Sequence, residues 1–286
     1  MDSINGVSFG KNNRTFLLED IMIRDMVATA GGVKLKWPED YAATSEEYIA
    51  KVFGPGYHPR TPVYFATTVA PSSLQDVRSH LRLEGLVYRV VPEAGGDQVD
   101  VTRSRYLMDS VFSMKSILDP SVRKDENTRG LLLTYAATFM GMANEYRRQN
   151  RPLDAEHVLK MAAALGLDRE RRMTILYHLS NSALQARHYD SALVALDTIR
   201  ALGYNQPEFA AMRGVAYEGK GDLKGAESAY LDAVSTDPGR VEFVQALVRL
   251  YLDKLRDTAK GKALLELWLR RSPSDSAAAR QLRQLS

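Results

Sequence analysis

The stretch from Pro207 to Pro238 constrains this chain more than any other. It carries Pro207, Gly214, Tyr217, Gly221-Asp222, Ala226, Tyr230, Ala233 and Pro238. These are the first, eighth, eleventh, fifteenth to sixteenth, twentieth, twenty-fourth, twenty-seventh and thirty-second positions of a unit of roughly 34 residues. Gly214 and Ala226 are small where two antiparallel helices must cross closely, and Tyr217 and Tyr230 are large enough to fill the space beside them. Gly221 supplies a positive φ and Asp222 an N-cap, so the spacing predicts helix, tight turn, helix. Pro238 predicts the end of the second helix and the entry to another.

The stretch resembles a tetratricopeptide repeat, and the resemblance implies a binding scaffold. Neighbouring units follow by counting. One starting at Met173 puts Leu176, Leu179, Ala183, Ala192, Leu196 and Ile199 at packing positions. One starting near Ala136 uses Phe139, Ala143, Tyr146, Ala155, Leu159 and Ala162, with extra residues in a loop at Gly166–Arg171. A degenerate fourth unit holds Val244, Leu247, Tyr251, Leu265, Trp268 and Pro273. The expected fold is mainly α: a right-handed TPR-like helical solenoid over 125–286, with units at about 136–172, 173–206, 207–240 and 241–273. A capping helix over 274–286 shields the last apolar face.

Composition narrows the function classes. A net charge of +3 over 286 residues, with basic and acidic residues interspersed, does not suit nucleic acid as the main partner. The chain has no cysteine, which excludes disulfides, thiolate metal sites and a cysteine nucleophile. No apolar run reaches membrane-spanning length; the best stretch, Phe16–Ala30, is broken by Glu19, Asp20, Arg24 and Asp25. Met1–Gly10 has no signal-peptide pattern, so direct membrane insertion by this chain is not expected. Asn13-Arg14-Thr15 satisfies the N-glycosylation sequon, a triplet common by chance.

The first half reads as a linker over 1–14 and a small mixed α/β region over 15–124. A helix is expected from about Thr15 to Ala30, with Phe16, Ile23, Met26, Val27 and Ala30 near one face and Gly31-Gly32 as its stop. Trp37 to Tyr41 reads as loop. Ser45 opens a helix to Val52, stopped by Gly54-Pro55-Gly56. Thr61–Ala70 and Leu86–Val91 read as paired strands of a short sheet, the second closed by Pro92 and Gly95-Gly96. Helices are expected over Leu74–Leu83, capped by Ser72-Ser73, and over Tyr106–Met114, with a short strand near Val99.

Two blocks carry a second resemblance. Arg60-Thr61-Pro62-Val63-Tyr64-Phe65-Ala66-Thr67-Thr68-Val69 is followed by Leu83-Glu84-Gly85-Leu86-Val87-Tyr88-Arg89-Val90-Val91-Pro92, then by Asp125, Asn127 and Arg129. The order resembles the C-terminal soluble region of membrane glycosyltransferases related to protein O-mannosyltransferases, whose soluble part ends in helical repeats. The likeness covers roughly residues 15–200. It implies an excised extracytoplasmic domain, periplasmic in a bacterium, whose catalytic membrane part lies outside this chain. Pro62, Tyr64, Phe65, Thr68, Glu84, Gly85, Tyr88 and Arg89 are its motif residues. Glu84 and Arg89 read either as a polar site or as an ion pair fixing the sheet, the latter favoured. Tyr64, Phe65 and Tyr88 read as packing residues rather than a sugar-stacking platform.

No catalytic set can be assembled. His58, His80, His157, His178 and His188 show no metal-binding spacing, Gly54-Pro55-Gly56 and Gly219-Lys220-Gly221 are turns rather than phosphate loops, and no G-x-S-x-G elbow occurs. No cofactor is expected, and a protein or peptide is the expected partner, the missing membrane part of the same polypeptide included. In tetratricopeptide repeats, positions two, five, nine, twelve and thirteen of each first helix line a concave groove. That places Met140, Asn144, Arg147 and Arg148 there from the first unit, Tyr177, Asn181 and Gln185 beside His178 from the second, and Gln245 and Arg249 from the fourth. Asn144 and Asn181 are similar to the asparagines of chaperone-binding repeats that clamp a terminal carboxylate. That clamp also needs basic residues where this chain has Met140, Glu208 and Met212, which excludes it. Two readings stay open: a binding domain of a glycosyltransferase-like membrane protein, or an independent repeat adaptor.

Overall fold

The computed structural model describes residues 6–9, 14–54, 57, 59, 61–95, 98–119 and 121–285. Asn13 of the sequon, Pro55-Gly56, His58, Arg60 and Gly96 lie outside the described residues. The chain divides into two compact units, Met1–Arg148 and Gln149–Ser286.

In the first unit, β1 (Gly6–Phe9) pairs antiparallel with β2 (Arg14–Leu17) where the sequence reads as linker. The helix expected from Thr15 therefore starts later, as α1 (Leu18–Ala30), because Thr15 and Phe16 suit a strand. Its buried face is Asp20, Ile23, Arg24, Val27 and Ala28. Met26, expected on the core face, is exposed, as are Leu18 and Met22. At the stop, Gly32 takes a φ of +75°, and a Cβ at Gly31 would lie 2.3 Å from the Tyr57 ring. Helix α2 (Ser45–Val52) opens with a capping box: Thr44 and Glu47 each accept the other's backbone N–H, at 3.2 and 2.9 Å. That satisfies two donors the first turn leaves open.

A buried arginine closes this core. Arg24 Nε donates to Asp76 Oδ2 at 2.9 Å, and its Nη1 donates to the carbonyls of Asp40 and Ala43 at 3.2 and 2.9 Å. Ser45 donates to the other Asp76 oxygen at 2.5 Å, and Tyr48 donates its hydroxyl to the Arg24 carbonyl at 2.9 Å. Arg24 and Asp76 thus tie α1 to the irregular segments around 40–45 and 76.

The sheet has the order β3-β5-β4-β6: β3 (Tyr64–Ala66), β4 (Leu81–Glu84), β5 (Val87–Val90) and β6 (Gln98–Val99). β5 pairs antiparallel with β3, Phe65 opposite Tyr88, and with β4, Glu84 opposite Val87; β6 runs parallel to β4. The two expected strands do pair, the first shortened from 61–70 to Tyr64–Ala66. The helix expected over Leu74–Leu83 does not form. Hydrogen-bonded turns run to Val77, a 3-10 turn spans Arg78–His80, and Leu81 enters β4. Leu81 and Leu83 are buried through strand alternation, and pairing with β5 outweighs leucine's helix propensity. The β4–β5 hairpin turns at Gly85, φ +66°, with no room for a Cβ, which would meet Leu107 at 2.9 Å.

The helix expected over 106–114 comes earlier. Asp100 caps α3 (Val101–Tyr106) by accepting the Arg103 N–H at 2.8 Å, and a π turn follows over Leu107–Val111 before α4 (Lys115–Leu118). Helix α5 (Glu126–Arg148) starts after Asp125, which accepts the Thr128 N–H at 2.7 Å. It packs on α3 and β6, burying Phe139, Met142, Ala143 and Tyr146.

The second unit is helical throughout: α6 (Pro152–Ala163), α7 (Arg169–Gln185), α8 (Tyr189–Ala201), α9 (Pro207–Lys220), α10 (Leu223–Thr236), α11 (Val241–Arg249), α12 (Thr258–Arg271) and α13 (Ser276–Gln284). Each packs on the next in sequence, α11 reaching α12 through a π turn at Leu250–Leu255. α7 begins inside the loop read over 166–171, because Asp168 accepts the Arg171 N–H at 3.0 Å. The α9–α10 pair follows the sequence pattern closely. Gly221 has φ +80°, Asp222 accepts the Gly225 N–H at 2.9 Å, and a Cβ at Gly214 would fall 2.4 Å from the Tyr230 ring. Ala226 and Tyr230 are fully buried. Burial raises the Tyr230 phenol above its ordinary pKa, and its hydroxyl donates to Glu218 at 3.1 Å.

Candidate functional site

The candidate groove residues fall in both units. Met140, Asn144, Arg147 and Arg148 lie on α5 in the first. There Arg147 donates to Asn144 and Arg148 pairs with Glu145 at 2.6 Å, so both guanidinium groups engage their own helix. The others lie in the second unit, on α7 and α11.

On α7, Tyr177 is 38% exposed, its ring 5.4 Å from His178 and 6.1 Å from Phe209 of α9. Asn181 turns back to donate to the Tyr177 carbonyl at 3.2 Å, and Gln185 is exposed one turn on. On α11, Gln245 is exposed and, among the described residues, has no hydrogen-bond partner; Arg249 lies 3.8 Å from Glu218 of α9. First helices thus meet in sequence: α7 touches α9 through Tyr177 and Phe209, and α9 touches α11 through Glu218 and Arg249. Arg240 also bonds Glu208 where α9 and α11 begin.

Sequence reasoning omitted the third unit from the groove. The same position rule, applied to the unit starting at Pro207, gives Glu208, Ala211, Val215, Glu218 and Gly219. Val215 is 43% exposed. The signal was present, because Val215 and Asn181 both stand ninth in their units.

Where α11 passes α13 there is an open cleft of about 430 Å³. Val244, Val248, Leu265, Trp268 and Ala278 form its apolar floor, and Glu242, Gln245, Arg249 and Gln281 stand on its rim. Trp268 is held by its Nε1 donating to Asp275 Oδ2 at 2.9 Å, and Asp275, which also lines the cleft, caps α13.

The motif residues of the sheet have mainly structural surroundings. Glu84 is buried, 3.1 Å from Arg82 and 3.5 Å from Arg89. Phe65 is core, Tyr88 packs against that core, and Tyr64 is 46% exposed at the outer strand. Gly85 makes the hairpin turn, and Pro62 and Tyr64 border a wide depression beside α1. Thr68 sits in the turn after β3. His80 is buried, with Nδ1 3.0 Å from the Val91 carbonyl and its ring stacked on Phe53 at 3.7 Å; burial lowers its pKa and favours the neutral ring. Among the described residues, no group of three His, Asp or Glu is placed to hold a metal, and no helix is long and apolar enough to cross a membrane.

Residues 133–257 match the family model described as a tetratricopeptide repeat-like domain. The stacked helix pairs of the second unit have the corresponding architecture of TPR-like helical repeats. Among solved structures the chain is similar to YrrB, described as a TPR protein with an unusual peptide-binding site. The identity is 17%, the match covers 64% of this chain and 98% of that one, and the TM-score is 0.43. It is also similar to MamA (41-end) from Desulfovibrio magneticus RS-1, at 18% identity, 50% and 97% coverage and a TM-score of 0.33. No curated protein matches the chain.

Proposed function

We propose that this chain is a non-catalytic binding scaffold that holds an extended peptide segment along the first helices of its second unit. One observation carries the reading: groove-lining positions on successive first helices, the fifth at Tyr177 and Gln245 and the ninth at Val215, stay open rather than packed. Tyr177 and Val215 are large apolar side chains exposed by 38% and 43%, and Gln245 continues the row. Aromatic anchors among exposed amides suit peptide backbone and side chains together. The test is to pan the full chain against a displayed library of random peptides, then measure the selected peptides by fluorescence polarisation. Val215→Arg changes an exposed side chain and is expected to weaken binding at least tenfold. Peptides unaffected by both Val215→Arg and Tyr177→Ala would place binding elsewhere and end this reading.

A second reading is narrower: the scaffold serves a membrane glycosyltransferase on its extracytoplasmic face and presents an acceptor to it. Its support is the sequence likeness of the 60–69 and 83–92 blocks. Lipid-linked and nucleotide-linked sugars offered with candidate acceptors give no turnover with this chain alone in that reading. Turnover by the isolated chain would overturn the non-catalytic assignment.

A further inference from the structure

The cleft between α11 and α13 has a cause in the repeat itself. Helices α9, α11 and α13 begin at Pro207, Val241 and Ser276, and their third residues are Phe209, Phe243 and Ala278. The first two phenylalanines each reach the preceding unit. Phe209 meets Tyr177, and Phe243 is buried against Ala210 and Ala233, with Ala211 beside it. The corresponding wall one unit on is Val244, Gln245 and Trp268, and the large side chain that would cover it is missing, since Ala278, buried against Val244 and Trp268, has only a methyl group. Val244 and Trp268 are larger than their alanine counterparts, yet about 430 Å³ stays open.

Resting on the peptide-scaffold reading above, we infer that this cleft is an anchor pocket for one aromatic side chain of the bound peptide, supplied where the chain omits its own phenylalanine. The volume lies at the low end of ligand pockets, roughly 300–1,000 Å³, and suits one side chain rather than a whole helix. The Trp268 indole gives the ring an aromatic surface. The rim adds direction. Glu242, Gln245 and Arg249 follow one another along α11, and seven residues of helix span about 10.5 Å, the length of about three residues of extended chain. An aromatic residue therefore sits between a basic residue at the Glu242 end and an acidic one at the Arg249 end. Gln245 and Gln281, neither hydrogen-bonded among the described residues, face the peptide backbone from two helices.

The test uses the peptides selected on the full chain. They are expected to share one Phe, Tyr or Trp flanked by opposite charges about three positions apart, and replacing that aromatic residue by alanine in the peptide should weaken binding at least tenfold. Ala278→Phe restores the chain's own pattern at the third residue of α13, which lines the cleft. It should raise the melting temperature while abolishing the aromatic preference. Arg249→Glu should exchange the acidic preference for a basic one. In a Trp37→Phe background, Trp268 is the only indole, and its emission should shift as the peptide binds. Peptides that need Val215 but bind Ala278→Phe and their own alanine variants undiminished would leave the scaffold reading standing and overturn the anchor pocket. Failure to select any peptide would overturn both.

Discussion

The two units solve the same problem, burying an apolar core, by opposite means. The second repeats one local solution: a small residue at the helix crossing, an aromatic ring beside it, a glycine or capped turn. Gly214, Ala226 and Tyr230 satisfy one another within a single helix pair. The first has no repeated element, and its core closes over a charged pair, Arg24 and Asp76, separated by 52 residues. A local code tolerates variation between repeats, as the π turn in the fourth unit shows. A single polar centre does not, because removing either partner leaves the other buried.

The largest effect expected from that contrast is at Arg24. Arg24→Ala strands Asp76 and the carbonyls of Asp40 and Ala43, and should cost about 3–5 kcal/mol, read as a fall in the urea midpoint by far-UV circular dichroism. A midpoint equal to the parent's would mean that the polar centre does not hold the first unit.

Next come the repeat positions. Tyr230→Ala opens a cavity beside Gly214 and should cost roughly 3 kcal/mol or more, by analogy with other buried aromatic truncations. Ala226→Leu overpacks the same crossing and should cost about 1–3 kcal/mol. Trp268 fluorescence in the Trp37→Phe background follows both. Unchanged melting of the pair would remove the repeat code as the source of stability.

The smallest effect is electrostatic. Glu156 is buried in α6, accepting from His188 at 2.8 Å and pairing with Lys160 at 2.6 Å. Burial alone would raise its pKa, but the hydrogen bonds from Lys160, Ser191 and His188 bring it below the ordinary value. A depressed carboxyl contributes stability above its unfolded pKa, about 4.3, and loses it as pH falls through the lower folded value. The parent should therefore lose stability more steeply than Glu156→Gln between pH 5 and about 3. Parallel pH profiles would show that this buried charge does not distinguish the repeats from the first unit.

The same contrast explains what could be read beforehand. The repeat register, the Gly221-Asp222 turn and the pairing of the 64–66 and 87–90 strands were legible because each depends on residues a few positions apart or on simple alternation. The helix expected over Leu74–Leu83 was not, since β4 exists only because β5 needs a second neighbour. Met26 was misplaced for a related reason: α1 turns Arg24 inward to reach Asp76, and that rotation carries Met26 into solvent.

For the candidate site, a 34-residue period picks out candidate positions on each first helix, of which Tyr177, Val215, Gln245 and Arg249 are exposed while Met140, Asn181 and Ala211 are half-buried. The sequence by itself also held Ala278, an alanine where α9 and α11 carry phenylalanine. The contacts of Arg147 with Asn144 and of Arg148 with Glu145 are local, three residues apart on α5; only the tertiary structure decided that Glu84 is buried and shared between two arginines. It alone showed that α13 starts one residue late in the 34-residue period and that the small side chain at Ala278 leaves a cleft beside Trp268. Side-chain spacing is local and survives in sequence. Which charges find each other, and which volumes remain empty, depends on segments that only folding brings together.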